Sequence, residues 1–98
     1  MNRVVCRVVL YEGCWNTQPS KEDVTLVLSR TFPAQGDNAL GRIEFAEPPE
    51  DVALEVEVAV FTRWCHSEII RDDIIESVLY RFEPEYESMI EVEVEDRE

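Results

Sequence analysis

The chain has 98 residues, enough for one domain with a modest hydrophobic core, and its hydrophobic content of 45% argues against disorder. It has no apolar run long enough to span a membrane, and its arginine-interrupted start does not resemble a signal peptide, so a cytoplasmic location is expected. The net charge is −13, and residues 50–98 hold sixteen acids against four bases, so neither direct nucleic-acid binding nor a membrane partner is expected.

The first predicted strand covers Arg3 to Tyr11. Its residues are substantially apolar in both alternating phases. A strand that is apolar on both sides is typical of the middle of a sheet or of a strand covered twice. Arg7 lies within this strand and would need a carboxylate neighbour. The following segment, Gly13 to Asp23, is rich in turn-forming residues and is predicted to be a loop.

Residues 24–32 fit two structures. As a strand, they place one apolar set on a common face: Val24, Leu26, Leu28 and Phe32. As a helix, they would have Ser20 as N-cap, Asp23 in the capping-box position, and a different apolar stripe: Val24, Val27, Leu28 and Phe32. The number of β-branched residues favours the strand, which we predict, with the helix as the alternative.

Two further strands form a predicted hairpin, Ala39 to Ala46 and Val52 to Trp64, joined by a turn at Glu47 to Asp51. The second strand has the clearest alternation in the chain and is predicted to be central. Its apolar phase comprises Val52, Leu54, Val56, Val58 and Val60. The opposite phase comprises Ala53, Glu55, Glu57 and Ala59.

This hairpin resembles a known family. The sequence Gly41 to Phe45, the pair Pro48-Pro49 and the run Val52 to Val58 are similar to the hairpin of prealbumin-like and carboxypeptidase-regulatory-like β-sandwich domains. The preceding Asp23 to Leu28 matches the strand that this family has before its hairpin. The resemblance covers residues 23–58 and implies a binding or accessory module. It implies no catalytic residues.

Residues 67–82 are also ambiguous. Six apolar residues occupy about half a helix circumference: Ile70, Ile74, Ile75, Val78, Leu79 and Phe82. We expect at least one helical turn here, and the alternative is a strand near Ile69 followed by another from Glu76 to Phe82. A closing strand is predicted from Met89 to Glu95, with three residues pointing inward: Ile90, Val92 and Val94.

The predicted fold class is therefore mainly β, an antiparallel β-sandwich-like domain with a short helix near residues 67–82. If residues 24–32 and 67–82 are both helical, the element order becomes β-α-β-β-α-β, an α+β ferredoxin-like domain. That order is the alternative fold.

No constellation of residues predicts catalysis, a cofactor or a metal. Cys65 and His66 adjoin, but neighbours on a strand point to opposite faces and cannot easily act together. The chain has three cysteines without ligand-type spacing, and free thiols are expected. The pair Asp72-Asp73 is explained by a helix surface or a turn. An enzyme is therefore the least favoured class.

The outward glutamates of the strands are the distinctive feature of the sequence. They are predicted to form a partner-binding surface: Glu44, Glu55, Glu57, Glu91, Glu93 and Glu95. A simpler interpretation is that polar strand positions need charges and that edge strands use charges against aggregation. The functional hypothesis is a small acidic, non-enzymatic protein-binding module that docks on a basic, nucleic-acid-binding partner as an inhibitor, immunity-type or anti-defence protein. The alternative is a structural subunit that oligomerises through strand-edge pairing.

Overall fold

The computed structural model of the chain describes residues 2–64 and 67–97, the side chains of residues 96 and 97 excepted. Six main elements follow one another: β1 (Asn2–Tyr11), α1 (Lys21–Thr31), β2 (Asn38–Ala46), β3 (Val52–Thr62), α2 (Ser67–Phe82) and β4 (Ile90–Arg97). A short 3-10 turn, Glu87–Met89, precedes β4. All four predicted strands outside the ambiguous segments are present.

The strands form one antiparallel sheet in the order β2-β3-β1-β4. The two strands that were predicted to be central, β1 and β3, occupy the middle. β2 and β3 form the predicted hairpin, and Asp51 closes its turn with a φ of 70°. The prediction of antiparallel strands is confirmed.

One hydrophobic core lies between the sheet and the two helices. One phase of each strand contributes to it, and in β1 this phase is Val4, Cys6, Val8 and Leu10. The same core contains the apolar stripes of α1 and α2. Because both helices pack on the same phase of the strands, they cover the same face of the sheet, and no described element covers the other face.

The prediction of a strand over 24–32 is wrong, because these residues lie mainly in helix α1. Ser20 is the N-cap, and its hydroxyl accepts a hydrogen bond from the backbone N–H of Asp23 at 3.2 Å. Leu26 separates the two interpretations, because the strand would bury it and the helix would not. It is 51% exposed, whereas the helical stripe is buried: Val24, Val27, Leu28 and Phe32.

The hydroxyl groups of three side chains in helix α1 are hydrogen-bonded within the helix. Three hydroxyls each donate to the carbonyl four residues earlier, at 2.8 Å: Thr25, Ser29 and Thr31. This back-bonding satisfies side chains that would otherwise compete for backbone groups in a non-helical conformation. The Thr31 oxygen, 2.8 Å from the Ser77 hydroxyl, accepts a hydrogen bond from it, which links α1 to α2.

Helix α2 has 16 residues and is longer than the short helix that the sequence predicted. Four residues of the predicted stripe are buried: Ile70, Ile74, Val78 and Phe82. The alternative of two strands within this segment is wrong. With both ambiguous segments helical, the second layer consists of two helices rather than a second sheet. The described elements therefore follow the α+β ferredoxin-like order, and the sandwich-like arrangement is corrected.

The loop after β1 is fastened to the end of α2. Trp15 is buried, its indole N–H donates to the carbonyl of Tyr11 at 2.9 Å, and its ring meets Phe82 edge to face with centroids 6.5 Å apart. Backbone hydrogen bonds join residues 14–17 of this loop to residues 82–85. These contacts close the end of the core between α2 and the sheet.

Candidate protein-binding face of the sheet

The face of the sheet opposite α1 and α2, here called the open face, collects most of the predicted binding residues. In the strand register, Glu44 lies opposite Glu57, Glu57 opposite Arg7, and Arg7 opposite Glu93. A second row joins Glu55, Val9 and Glu91 in the same way. Paired residues of antiparallel strands point to the same side of a sheet. The open face therefore carries five of the six predicted glutamates: Glu44, Glu55, Glu57, Glu91 and Glu93.

Glu95 departs from this arrangement. The pairing of β1 with β4 is irregular at this point, because Val94 lies opposite Cys6 while the next β1 residue, Val5, pairs with residue 96. Glu95 is thus left over in a bulge. It lines a depression on the open face beside Arg7 and also a groove at the outer side of β4 beside Arg71. The glutamate therefore lies at the boundary of the open face.

Arg7 is the cation at the centre of the open face. Its Nε donates to Glu55 Oε2 at 3.2 Å, and one Nη donates to Oε1 at 3.4 Å. This two-point hydrogen bond and the charge of Glu55 raise the pKa of Arg7, and the charges of Glu93 and Glu95 act in the same direction. The carboxylate neighbour that the sequence required for Arg7 is present, and it holds Glu55 in a fixed orientation.

A second ion pair lies on the β2 side of the open face. Arg42 donates to Glu57 at 2.8 Å. Glu44 lies directly opposite Glu57, so a like-charge pair sits beside the ion pair. Arg3 points to the same face, because it is paired with Phe61 in register. Five glutamates and three arginines therefore leave two uncompensated negative charges among these eight side chains. The face is acidic, and Arg7 and Arg42 form ion pairs with two of its glutamates.

Apolar residues form the floor of the open face. Val9 is 2% exposed and Val5 is 6% exposed, although they point away from the helices. Val9 has Glu55 and Glu91 as its neighbours in register, and long charged side chains can cover apolar surface with their stems. The carboxylates thus stand at the rim of an apolar floor that their side-chain stems help to cover.

Two aromatic residues of the open face were not predicted from the sequence. The Tyr11 hydroxyl donates to Glu91 Oε1 at 3.1 Å, and this hydrogen bond, followed by burial and the charge of Glu91, raises the pKa of Tyr11. Phe61 lies at the opposite end of β3 and is 41% exposed. A Cβ at Gly41 would come within 2.6 Å of the Phe61 ring, so the ring lies over this glycine. The sequence did contain a signal for both residues. Tyr11 lies four residues after Arg7 and Phe61 lies four residues after Glu57, and residues an even number apart in a strand lie on the same side of the sheet.

The remaining chemically interesting residues lie away from the open face. Cys6 is buried beneath the helices, and burial raises the pKa of its thiol to about 11, with the charge of Glu95 adding to the effect. Cys14 is exposed, and neither of these two cysteines forms a disulfide. Cys65 and His66 lie outside the described residues. Within the described ranges, no three His, Cys, Asp or Glu side chains are grouped so as to hold a metal ion.

No protein-family model matches this chain, and no curated protein matches its sequence. None of the helices in the ranges 2–64 and 67–97 is both long and apolar enough to cross a membrane.

Proposed function

We propose that this chain is a small non-enzymatic protein-binding module whose open face docks on a basic surface of another protein. The supporting observation is the convergence of five glutamates, distant in sequence, on the one sheet face that no described element covers. Three strands contribute them, β2, β3 and β4, and β1 supplies the arginine between them. Complementary potentials of this kind steer partners together and fix their orientation.

Docking of a basic partner would relieve a repulsion between Glu44 and Glu57, which lie opposite each other in register. Like charges directly opposite each other on neighbouring strands destabilise a sheet by a few tenths of a kcal/mol up to about 1 kcal/mol. Arg42 offsets this cost at Glu57, but Glu44 has no ion pair of its own among the described contacts. A lysine or arginine of a docked partner would remove the repulsion, so binding and folding are favoured by the same contact.

The chemistry of the face suggests a class of partner. Neighbouring strands lie about 4.8 Å apart, and residues two apart on one strand lie about 7 Å apart, so the carboxylates form a regular grid. Basic surfaces that hold nucleic-acid phosphates carry arrays of lysine and arginine. A carboxylate grid that occupies such a surface would block access of nucleic acid. The proposed role is therefore an inhibitor, immunity-type or anti-defence protein that shields a nucleic-acid-binding partner.

The test replaces four carboxylates of the face with isosteric amides, Glu55→Gln, Glu57→Gln, Glu91→Gln and Glu93→Gln together. A matched control carries four substitutions at exposed positions outside the face: Glu22→Gln, Glu76→Gln, Glu85→Gln and Glu87→Gln. The partner that wild type captures most strongly from a lysate is then measured with all three proteins by stopped-flow or surface-based kinetics. Both variants have the same net charge, so a difference between them reports position rather than total charge.

We expect the face variant to associate roughly tenfold more slowly than wild type at low salt, with a much smaller loss for the control. The difference should shrink toward about 1 M salt, where the Debye length is about 3 Å. Equal binding by the face variant and wild type at every salt concentration would show that the carboxylates serve solubility alone.

A further inference from the structure

We infer that the partner reaches the open face at the outer edge of β4, by adding an extended strand in which every second residue is basic. This inference rests on the proposed function and names how the partner binds. It differs from docking flat on the face, because it requires backbone hydrogen bonds as well as charge.

Within the described residues, the outer edge of β4 from Ile90 to Val94 is regular and pairs with no further strand. β4 is the last strand of the sheet and, within the described residues, pairs only with β1. Ile90 to Val94 pair in unbroken register with β1, over a length of about 17 Å. In an antiparallel sheet, alternate residues of an edge strand direct their backbone N–H and C=O groups away from the sheet. Such an edge accepts a peptide strand by β-augmentation.

The side chains of β4 specify the charge of that strand. Glu91 and Glu93 are exposed and point to the open face. Directly opposite residues of paired strands have Cβ atoms about 5 Å apart, so an added strand would place every second side chain against these carboxylates. Lysine or arginine at those positions would form cross-strand ion pairs. Because the glutamates recur at every second residue of β4, the added strand must carry a basic residue at every second position.

The other phase of an added strand would lie on the helix side of the edge. There β4 and the start of α2 border a groove of about 900 Å³. Its apolar lining is Val92 and Val94, and the rest of the lining is polar or charged: Ser67, Glu68, Arg71, Glu93 and Glu95. Val94 is half-buried, and the aliphatic stem of Arg71 offers further apolar surface. Small apolar residues in this phase would contact Val92 and Val94. The ligand is therefore an alternating basic and apolar strand.

The opposite edge of the sheet is less suited to this ligand. Each edge strand has one bulge, at Gly41 in β2 and at Glu95 in β4, so the difference between the two edges lies in their charges. Arg42 and Glu44 give the edge mixed charge, and Lys21 lies 5.7 Å from the centre of the Phe45 ring. Mixed charge gives a basic strand less to bind, and a lysine beside an edge discourages strand addition.

A second copy of this chain is also a poor occupant of the β4 edge. If two β4 strands paired antiparallel about Val92 with their helices on the same side, Glu91 of each copy would face Glu93 of the other. Like charges at opposed positions destabilise the pairing. The same glutamates that would attract a basic strand thus oppose self-association.

The experiment uses the full chain and three capped peptides based on Lys-Val-Lys-Val-Lys-Val. The first is unmodified, the second has N-methylated amides at the lysines, and the third has N-methylated amides at the valines. All three carry the same charge, but an added strand directs only one set of its amides toward β4. Binding is measured by fluorescence anisotropy at low salt, and amide hydrogen exchange locates the peptide on the chain.

We expect one methylated peptide to lose at least tenfold in affinity while the other binds much like the parent. The parent peptide should slow the hydrogen exchange of amides within Glu91 to Val94. The double variant Glu91→Gln, Glu93→Gln should bind the parent peptide more weakly than wild type at low salt, but not near 1 M salt. Absence of binding, or equal loss from both methylations, would overturn the proposal. So would a dimer in sedimentation that buries the β4 edge.

Failure of this inference is distinguishable from failure of the proposed function. If methylation of either phase leaves affinity unchanged while the two Glu→Gln substitutions still weaken binding, strand addition is overturned and docking by charge stands. If the substitutions have no effect at any salt concentration, the requirement for a basic strand is overturned together with the proposed function.

Discussion

Arg7 illustrates how one side chain sets the character of the open face. It lies on a central strand, in register with Glu57 on one side and Glu93 on the other, and it bonds to Glu55. A neutral residue at this position would leave these three carboxylates without their common cation. Because the guanidinium presents a planar fork, it can orient one carboxylate with two hydrogen bonds while its charge acts on the others.

Asp73 provides a test of electrostatics away from the face. Burial in α2, followed by the charge of Asp72, raises the pKa of the Asp73 carboxyl above its ordinary value of 3.8. The folded state therefore favours the protonated form. The stabilising contribution of this group is complete below pH 3.8 and is lost as the pH rises through the folded pKa, so ionised Asp73 destabilises the fold at neutral pH.

Asp73→Asn should accordingly stabilise the protein at pH 7, raising its Tm by roughly 2 °C. Thermal melts of wild type and variant at pH 7 and pH 3 would measure this, with Glu76→Gln on the same helix as the control. The difference between Asp73→Asn and wild type should be smaller at pH 3. An equal difference at both pH values would mean that ionisation of Asp73 is not the cause.

At the scale of the element, the helical structure of α1 depends on contacts that cannot be predicted from its amino-acid composition. The N-cap at Ser20 and the capping-box position of Asp23 were visible in the sequence, but β-branched residues outweighed them in the prediction. Burial of the helical stripe outweighs the low helix propensity of the β-branched residues, since tertiary packing overrides propensity. A helical turn was predicted within α2 because its apolar residues recur with helical spacing over about four turns.

Ser20→Ala removes the N-cap of α1 and should cost about 1 kcal/mol of stability, because the N–H of Asp23 loses its acceptor. Ser20→Asp should retain most of the stability, since its carboxylate can accept the same bond near the positive end of the helix dipole. Urea unfolding of the three proteins gives the comparison. Equal stability of the alanine and aspartate variants would contradict a capping role for Ser20.

For the candidate site, the sequence predicted which side of its strand each glutamate lies on, but not which residues of neighbouring strands lie beside it. Alternation along each strand correctly grouped the five glutamates of the open face, because side chains alternate strictly in a regular strand. Glu95 lies at the boundary of this face, because the bulge that displaces it depends on the pairing of β4 with β1. The alignment of Tyr11 with Glu91 is likewise a consequence of pairing, as is the alignment of Glu44 with Glu57. Alternation specifies the side of a strand, and only the assembled sheet specifies the neighbour.

At the scale of the whole molecule, acidic residues outnumber basic ones by thirteen, and the second half of the chain carries most of the excess. Two effects of salt then compete. Screening weakens ion pairs such as Arg7–Glu55 and Arg42–Glu57, which destabilises the fold, and it weakens repulsion among carboxylates, which stabilises it. Exposed ion pairs contribute little individually, so repulsion should dominate at this net charge.

We therefore expect NaCl to stabilise the protein, by on the order of 1 kcal/mol between about 0.1 M and 1 M, where the Debye length falls from about 10 Å to about 3 Å. Urea unfolding at several NaCl concentrations measures this, with chloride used because sulfate would add a separate effect on apolar burial. A fall in stability with added NaCl would mean that the ion pairs dominate.

The two four-glutamine variants locate the repulsion. Each reduces the net charge from −13 to −9, since four negative charges are removed. If the repulsion is concentrated on the open face, where Glu44 and Glu57 are opposed, the variant of Glu55, Glu57, Glu91 and Glu93 should gain less stability from salt than the control variant. Equal gains would place the repulsion in the molecule as a whole. The open face would then carry no special electrostatic cost in the free protein, and relief of Glu44–Glu57 repulsion could not contribute to binding a basic partner.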